Sequence, residues 1–166
     1  MSRRQLYLMR HAKSSWKYPL ADLDRPLNQR GLEDAPRMGQ RLSRRETRLD
    51  LMVTSHALRA LRTAQLVADA LQYPMEQLCV QPRLYTEDAG AILKVICDLD
   101  DRHHVIMLLG HNPVLTELAN RFAHIPIVNV PTSGVVHLEM ELSHWKNFDA
   151  RTVEFVDFDY PKRLDD

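Results

Sequence analysis

The sequence predicts an α/β fold, a mainly parallel central sheet flanked by helices on both faces, in a single domain over residues 1–166. Two observations carry this. Three short apolar runs, at residues 6–9, 51–55 and 105–110, are separated by stretches of helical periodicity, and strands that alternate with helices build parallel sheets. Each run also ends in reactive side chains: Arg10 and His11 after the first, a helix bearing Arg59 after the second, and His111 after the third. In a parallel sheet these three ends share one rim, the place where such folds bind ligands. A chain of 166 residues buries roughly two-thirds of its unfolded surface, enough for a full layered core.

Residues 5–9 are mostly apolar, the pattern of a central strand covered on both faces. Residues 12–27 hold Pro19, Pro26, Asp22 and Asp24 and no helical period, which reads as a loop over the rim. A helix follows within residues 28–45, with a stripe of Leu32, Ala35, Met38, Gly39 and Leu42. Either Asn28 caps it and it kinks at Pro36, or Asp34 caps a helix with Pro36 in its first turn. Residues 51–55 are the second strand. Residues 57–71 form the clearest helix, with Leu58, Leu61, Leu66, Ala70 and Leu71 on its apolar side, and Arg59 and Thr63 sharing a face.

A short strand is expected at 79–81, then a helix capped by Asp88 and running to Asp98. The run at 105–109 is too short for a free helix and reads as the third strand of the rim. Pro113 suits the first turn of a helix over 114–123. Two alternating runs, 135–142 and 152–158, read as antiparallel or edge strands with one wetter face.

The 22 basic and 22 acidic residues cancel, which argues against bulk attraction to nucleic acid or to an anionic membrane, so any cationic site is local. Cys79 and Cys97 lack C-x-x-C spacing and read as reduced core residues of a cytoplasmic protein rather than a disulfide or zinc framework. Arg3 and Arg4 precede no export-type apolar segment, and no stretch nears the ~20 apolar residues of a spanning helix. No heptad run or extended apolar surface marks an oligomer interface.

The residues gathered at the rim suit a phosphate. Phosphoryl transfer needs a nucleophile in line with phosphorus and fixed positive charge around the equatorial oxygens. The guanidinium forks of Arg10 and Arg59 supply such charge and cannot lose it. A neutral imidazole at His11 can attack phosphorus to give a phosphohistidine intermediate, and nearby guanidinium groups favour that neutral form. His111 would bind the transferring group from the far strand. Lys13, Ser14 and Asn112 are candidate substrate-binding residues, and Glu87 and Asp88, in a rim loop, are candidate proton donors. Arg25 and Arg30 are placed to brace the rim through Asp22 or Asp24. The chemistry calls for no metal and no cofactor. His56, His103, His104, His124, His137 and His144 read as surface or core residues, the adjacent His103 and His104 lacking a third ligand nearby.

Four blocks now stand in order: L-Y-L-M-R-H-A-K-S at 6–14, D-R-P-L-N-Q-R-G at 24–31, S-H-A-L-R-A-L-R-T-A at 55–64 and L-G-H-N-P at 109–113. Together they resemble the histidine phosphatase superfamily, over residues 6–133. The short length and the R-H-A-K-S variant resemble its SixA-type phosphohistidine phosphatases, with Ala12 where the family often has glycine. The resemblance implies a phosphoglycerate-mutase-like fold in a small version without a large insertion. It also implies His11 as the phosphorylated nucleophile, with Arg10, Arg59 and His111 completing the phosphate pocket.

Phosphoglycerate-mutase-like relatives take a carboxylate proton donor from an insertion that this chain is too short to hold. A P–N bond breaks readily once the departing imidazole is protonated, so a sparse acid favours a phosphohistidine substrate. The implied partner is a phosphorylated protein or a small phosphorylated substrate. The rival readings are a small-molecule phosphoesterase or mutase and a module that binds phosphorylated ligands without turnover.

Overall fold

The computed structural model describes residues 1–163. Its strands are β1 (Ser2–Arg10), β2 (Leu51–Thr54), β3 (Cys79–Val80), β4 (Val105–Gly110), β5 (Val135–Leu142) and β6 (Val153–Asp159), and its α-helices are α1 (Gln29–Arg44), α2 (Leu58–Leu71), α3 (Ala89–Cys97) and α4 (Val114–Asn120). The strands form one sheet in the order β3-β2-β4-β1-β5-β6. β1 lies inside it, parallel to β4 and antiparallel to β5. β2 and β3 extend the parallel side, and β6 runs antiparallel to β5 on the other. The expected α/β sandwich is present, as a mixed sheet whose two C-terminal strands are antiparallel neighbours.

Period-two alternation divides the strand side chains between two cores. Leu6 and Leu8 of β1 with Ile106 and Leu108 of β4 pack against Ile92 and Val95 of α3 and Leu115 and Leu118 of α4. Tyr7 and Met9 with Met107 and Leu109 pack against Met38 and Leu42 of α1 and Ala64 and Val67 of α2. A fully buried leucine contributes about 2 kcal/mol, so both faces of β1 and β4 fix the register of the rim.

Of the two starts foreseen for the first helix, Asn28 is the cap: its Oδ1 accepts from the Gly31 N–H at 2.9 Å. The helix continues through Pro36, where the bond to the residue 32 carbonyl is necessarily absent. Its apolar stripe is shifted from the expected one. Leu32 is exposed, and the buried face runs through Gly31, Ala35, Met38, Gly39 and Leu42. The same correction applies to α2, where Leu58 is exposed and the inner face is Ala60, Thr63, Ala64, Val67 and Ala68. Small residues win these positions because α1 and α2 touch closely: a Cβ on Gly39 would lie 2.7 Å from the Ala70 Cβ.

Cys79 is not a core residue; it is exposed on the two-residue strand β3, while Cys97 is half-buried. α4 ends at Asn120, earlier than expected, because the Asn120 amide exchanges two hydrogen bonds with the backbone of Ile127. Asp88 caps α3, its side chain accepting from the Gly90 N–H at 2.9 Å.

The parallel register brings the strand ends together. Arg10 pairs with Gly110 and Thr54 with Leu109. The next residues stay in step, with His11 N–H donating to Gly110 O and Ser55 N–H to Leu109 O, each at 3.1 Å. Over this rim lies the loop of residues 12–28, closed at its base by a bridge between Ser14 and Leu27 and by the Asn28 N–H on Lys13 O at 3.0 Å. A Cβ at residue 31 would come within 2.2 Å of Lys13 O, so only glycine lets the loop lie against the first turn of α1. Among the described residues no helix is long and apolar enough to cross a membrane.

Candidate active site

A cavity of about 730 Å³ opens at this rim. Arg10, His11, Arg59 and His111 line it, together with Lys13, Ser14, Asn112 and Glu87. Asp22 and Arg25, expected to brace the rim, line it too, as do Trp16, Tyr85, Thr86 and Thr132, which the sequence reading did not place there.

His11 is 7% exposed. Its Nδ1 lies 2.7 Å from the Ala12 carbonyl, which can only accept, so Nδ1 carries the proton and Nε2 keeps its lone pair. Arg59 Nε–H points at that Nε2 from 3.3 Å. Burial, reinforced by His111, Arg59 and Arg10, lowers the His11 pKa to about 3 against the opposing pull of the Ala12 hydrogen bond. The ring is therefore neutral at physiological pH, in a fixed tautomer, beside a guanidinium.

Arg59 sits in the first turn of α2, and its position follows from a local link. Thr63 Oγ1 donates to the Arg59 carbonyl at 2.7 Å and accepts the Ala12 N–H at 2.9 Å, which ties the helix to the end of β1. The Arg59 fork grips Asp22 twice, Nη1 on its carbonyl at 2.6 Å and Nη2 on its carboxylate at 2.9 Å. Asp22 also accepts from the Tyr85 hydroxyl at 2.5 Å and from Arg25 Nη1 at 3.2 Å. The Tyr85 hydrogen bond, then Arg59 and Arg25, hold this carboxyl well below the usual carboxylate range. Arg25 thus braces the rim through Asp22, whereas Arg30 pairs with Asp34 on α1.

His111 follows β4. Its Nε2 is 2.8 Å from Ser55 Oγ, which already accepts the Ala57 N–H at 3.1 Å. Burial and then Arg59 lower its pKa to about 4, with Asp22 opposing. A Ser55 proton given to Nε2 leaves the neutral ring's own proton on Nδ1, a buried atom without a partner. Arg10 donates through Nη1 to Val130 O at 3.1 Å, and its buried Nε has no partner either. Two orphaned cationic or neutral donors in one cavity are what an anion's oxygens would satisfy.

The remaining expected residues divide. Lys13 is exposed at the mouth. Ser14 is buried and hydrogen-bonded to Arg25. Asn112 is held at both ends of its amide, donating to Val130 O at 2.8 Å and Asn129 at 3.0 Å and accepting from Thr116. It anchors the neighbouring loop more than it offers a free amide. Glu87 is exposed on the cavity wall, while Asp88, spent on capping α3, is not part of that wall. Asp22 and Arg25 carried a sequence signal in their i, i+3 spacing; Tyr85 carried none, because its contact with Asp22 spans 63 residues. Among the described residues no group of three or more His, Cys, Asp or Glu is placed to hold a metal ion.

Residues 6–84 match the model of the histidine phosphatase superfamily, branch 1, and the fold agrees over almost the whole chain with a crystal structure from Agrobacterium tumefaciens provisionally named phosphohistidine phosphatase SixA. The family match and the fold together support the histidine phosphatase superfamily. The Agrobacterium structure has a TM-score of 0.80 and 27% identity, covering 95% of this chain and 98% of its own. An uncharacterised protein of Mycobacterium tuberculosis is 29% identical, over 93% of this chain and 100% of its own length. A mycobacterial glucosyl-3-phosphoglycerate phosphatase shares the superfamily fold at 15% identity and a TM-score of 0.64, with 95% and 97% of the two chains covered. The match and the fold thus support an enzyme of the histidine phosphatase kind, with a fold like that of the SixA-type structure.

The two depressed imidazoles also set an acid limit on stability. The unfolded rings take up protons near pH 6.5, whereas folded His11 and His111 stay neutral down to about 3 and 4. Between those values the unfolded state binds more protons, so stability falls as pH drops below 6.5. Thermal midpoints recorded from pH 7 to pH 4 are expected to decline, less steeply in His11→Ala. Equal slopes in the two proteins would contradict the assignment of this effect to His11.

Proposed function

We propose that this enzyme is a metal-independent phosphatase that hydrolyses phosphohistidine in proteins, acts in the cytoplasm, and turns over through a covalent phosphohistidine on His11. His11 Nε2 attacks phosphorus as the P–N bond to the substrate imidazole breaks, and the departing nitrogen leaves with a proton. Water then attacks the phosphorylated His11, forming a P–O bond and breaking the new P–N bond, which releases inorganic phosphate and returns the neutral ring. Arg10, Arg59 and His111 would hold the equatorial oxygens throughout. On binding, the phosphoryl group would take over the Arg59 fork from Asp22.

The observation that carries the substrate class is the state of the acid. Asp22, bound to Tyr85, Arg59 and Arg25, is held as a carboxylate, and Asp88 caps a helix. That leaves Glu87, exposed on the wall, as the carboxyl free to give a proton. An alkyl ester needs a good acid for its leaving oxygen, whereas a phosphoramidate needs little more than a protonated imidazole. The guanidinium groups of Arg10 and Arg59 would supply the charge stabilisation that a divalent cation gives elsewhere.

The test is kcat/KM on a phosphohistidine-bearing protein and on an alkyl phosphate ester, with a chelator present. A preference for phosphohistidine of about a hundredfold, the scale of one acid–base contribution, is expected, unchanged by the chelator. Preference for the ester would move the enzyme to small-molecule phosphoesters and make Glu87 the residue to replace next.

A further inference from the structure

In the loop that runs from the cavity, residues 16–20 carry three large apolar side chains in five positions: Trp16 is 76% exposed, Tyr18 52% and Leu20 47%. Single exposed apolar residues are ordinary, but several together beside a site mark an interaction surface. Trp16 also lines the cavity that contains His11 and Arg59. Resting on the phosphohistidine reading, we propose that residues 16–20 form a docking ledge for the protein that carries the phosphohistidine, with Trp16 as its anchor.

The ledge is held in place before any partner arrives. The Arg25 guanidinium lies 3.3 Å from the Trp16 ring centroid. Arg25 is itself fixed by Ser14, by the Ser15 carbonyl at 3.2 Å and by the Asp22 carboxylate at 3.2 Å. Asp22 in turn grips Arg59, whose Nε–H reaches His11. The indole is therefore indexed to the nucleophile through three charged side chains, and the bridge between Ser14 and Leu27 closes the loop beneath it. An aromatic anchor already held in position has little freedom left to lose on binding, which is why Trp and Tyr dominate interface energetics.

The occupant follows from extent and charge. A single aromatic ring on a small substrate would use Trp16 alone, whereas Tyr18 and Leu20 expose further apolar side chains two and four residues along the chain. Residues 12–21 contain Lys13 and Lys17 and no acidic residue, and the Lys17 ammonium lies 5.7 Å from the Tyr18 ring centroid. The complementary face is that of a protein whose apolar side chains are ringed by carboxylates, presenting its phosphohistidine between them.

The experiment compares a phosphohistidine-bearing protein, phosphoramidate and an aryl phosphate as substrates for the unmodified chain, the double variant Tyr18→Ser/Leu20→Ser, and Trp16→Ala. The double variant is expected to turn over phosphoramidate normally and to raise KM for the phosphoprotein about tenfold. Trp16→Ala is expected to raise that KM about 30-fold with kcat little changed. Unaltered KM for the phosphoprotein in both variants overturns the ledge and leaves the substrate reading standing. A loss in Trp16→Ala equally large on the aryl phosphate, with the double variant silent, assigns the indole to a small-molecule ring and overturns protein docking. An unmodified enzyme that ignores the phosphoprotein and hydrolyses only esters refutes the substrate reading, and the ledge with it.

Discussion

Replacing His11 with alanine is expected to abolish turnover, by about four orders of magnitude or more in kcat/KM, while the folded state survives. The reasoning is geometric. The Ala12 carbonyl fixes the proton on Nδ1, Arg59 faces Nε2, and burial keeps the ring neutral, so no other side chain in the cavity combines a free lone pair with this placement. Truncation leaves the Ala12 carbonyl and Arg59 Nε without the ring, at a cost of about 1–3 kcal/mol, but it also removes a buried titratable group. The two strands that flank β1 and the two cores on its faces are untouched. Kinetics on the phosphohistidine-bearing protein and a thermal unfolding curve would be recorded together. A His11→Ala protein that is folded and active would remove the nucleophile from the mechanism.

Arg59→Ala is expected to cost about 10³-fold, within the range that a single transition-state arginine contributes to phosphoryl transfer. Arg59→Lys restores positive charge but not the planar fork, and is expected to remain about 10²-fold below the unmodified enzyme. Both variants also release Asp22 from its bidentate partner. Its carboxyl should then titrate closer to the ordinary carboxylate range, although Tyr85 and Arg25 still hold it. Measuring kcat and KM separately distinguishes the roles: a rise in KM alone would make Arg59 a ground-state clamp, whereas a fall in kcat places its grip in the transition state. Because the Asp22 pair is half exposed, its loss should change stability by less than about 1 kcal/mol.

The parts of this site that were legible in the sequence share one cause. A parallel strand is a short apolar run with an abrupt end, and parallel strands end on the same side of the sheet. Arg10, His11 and His111 could therefore be placed on one rim from their positions after the runs, and Arg59 from the helix after the second. What was illegible depends on packing or on distant partners. Leu32 and Leu58 were read as core because they are large and apolar, yet the inner faces of α1 and α2 hold Gly39, Ala64 and Ala68, which let the helices approach.

The choice between Asn28 and Asp34 as helix cap rested on a single hydrogen bond to Gly31, which periodicity does not encode. Cys79 was assigned to the core from its apolar neighbours, but a two-residue edge strand leaves it in water. Tyr85 and Trp16 entered the cavity through the folds of loops, where no periodicity operates.

Central to all of this is a phosphoryl group that passes through His11. The most direct measurement mixes the enzyme with a protein carrying labelled phosphohistidine, quenches the reaction in base within the first turnover, and maps the label by peptide. Phosphohistidine survives base and is lost in acid, so the expected result is a base-stable, acid-labile label on the peptide containing His11, appearing before inorganic phosphate and chasing off at the turnover rate. Steady release of phosphate with no label on that peptide, or with a label that never chases, would contradict the covalent mechanism.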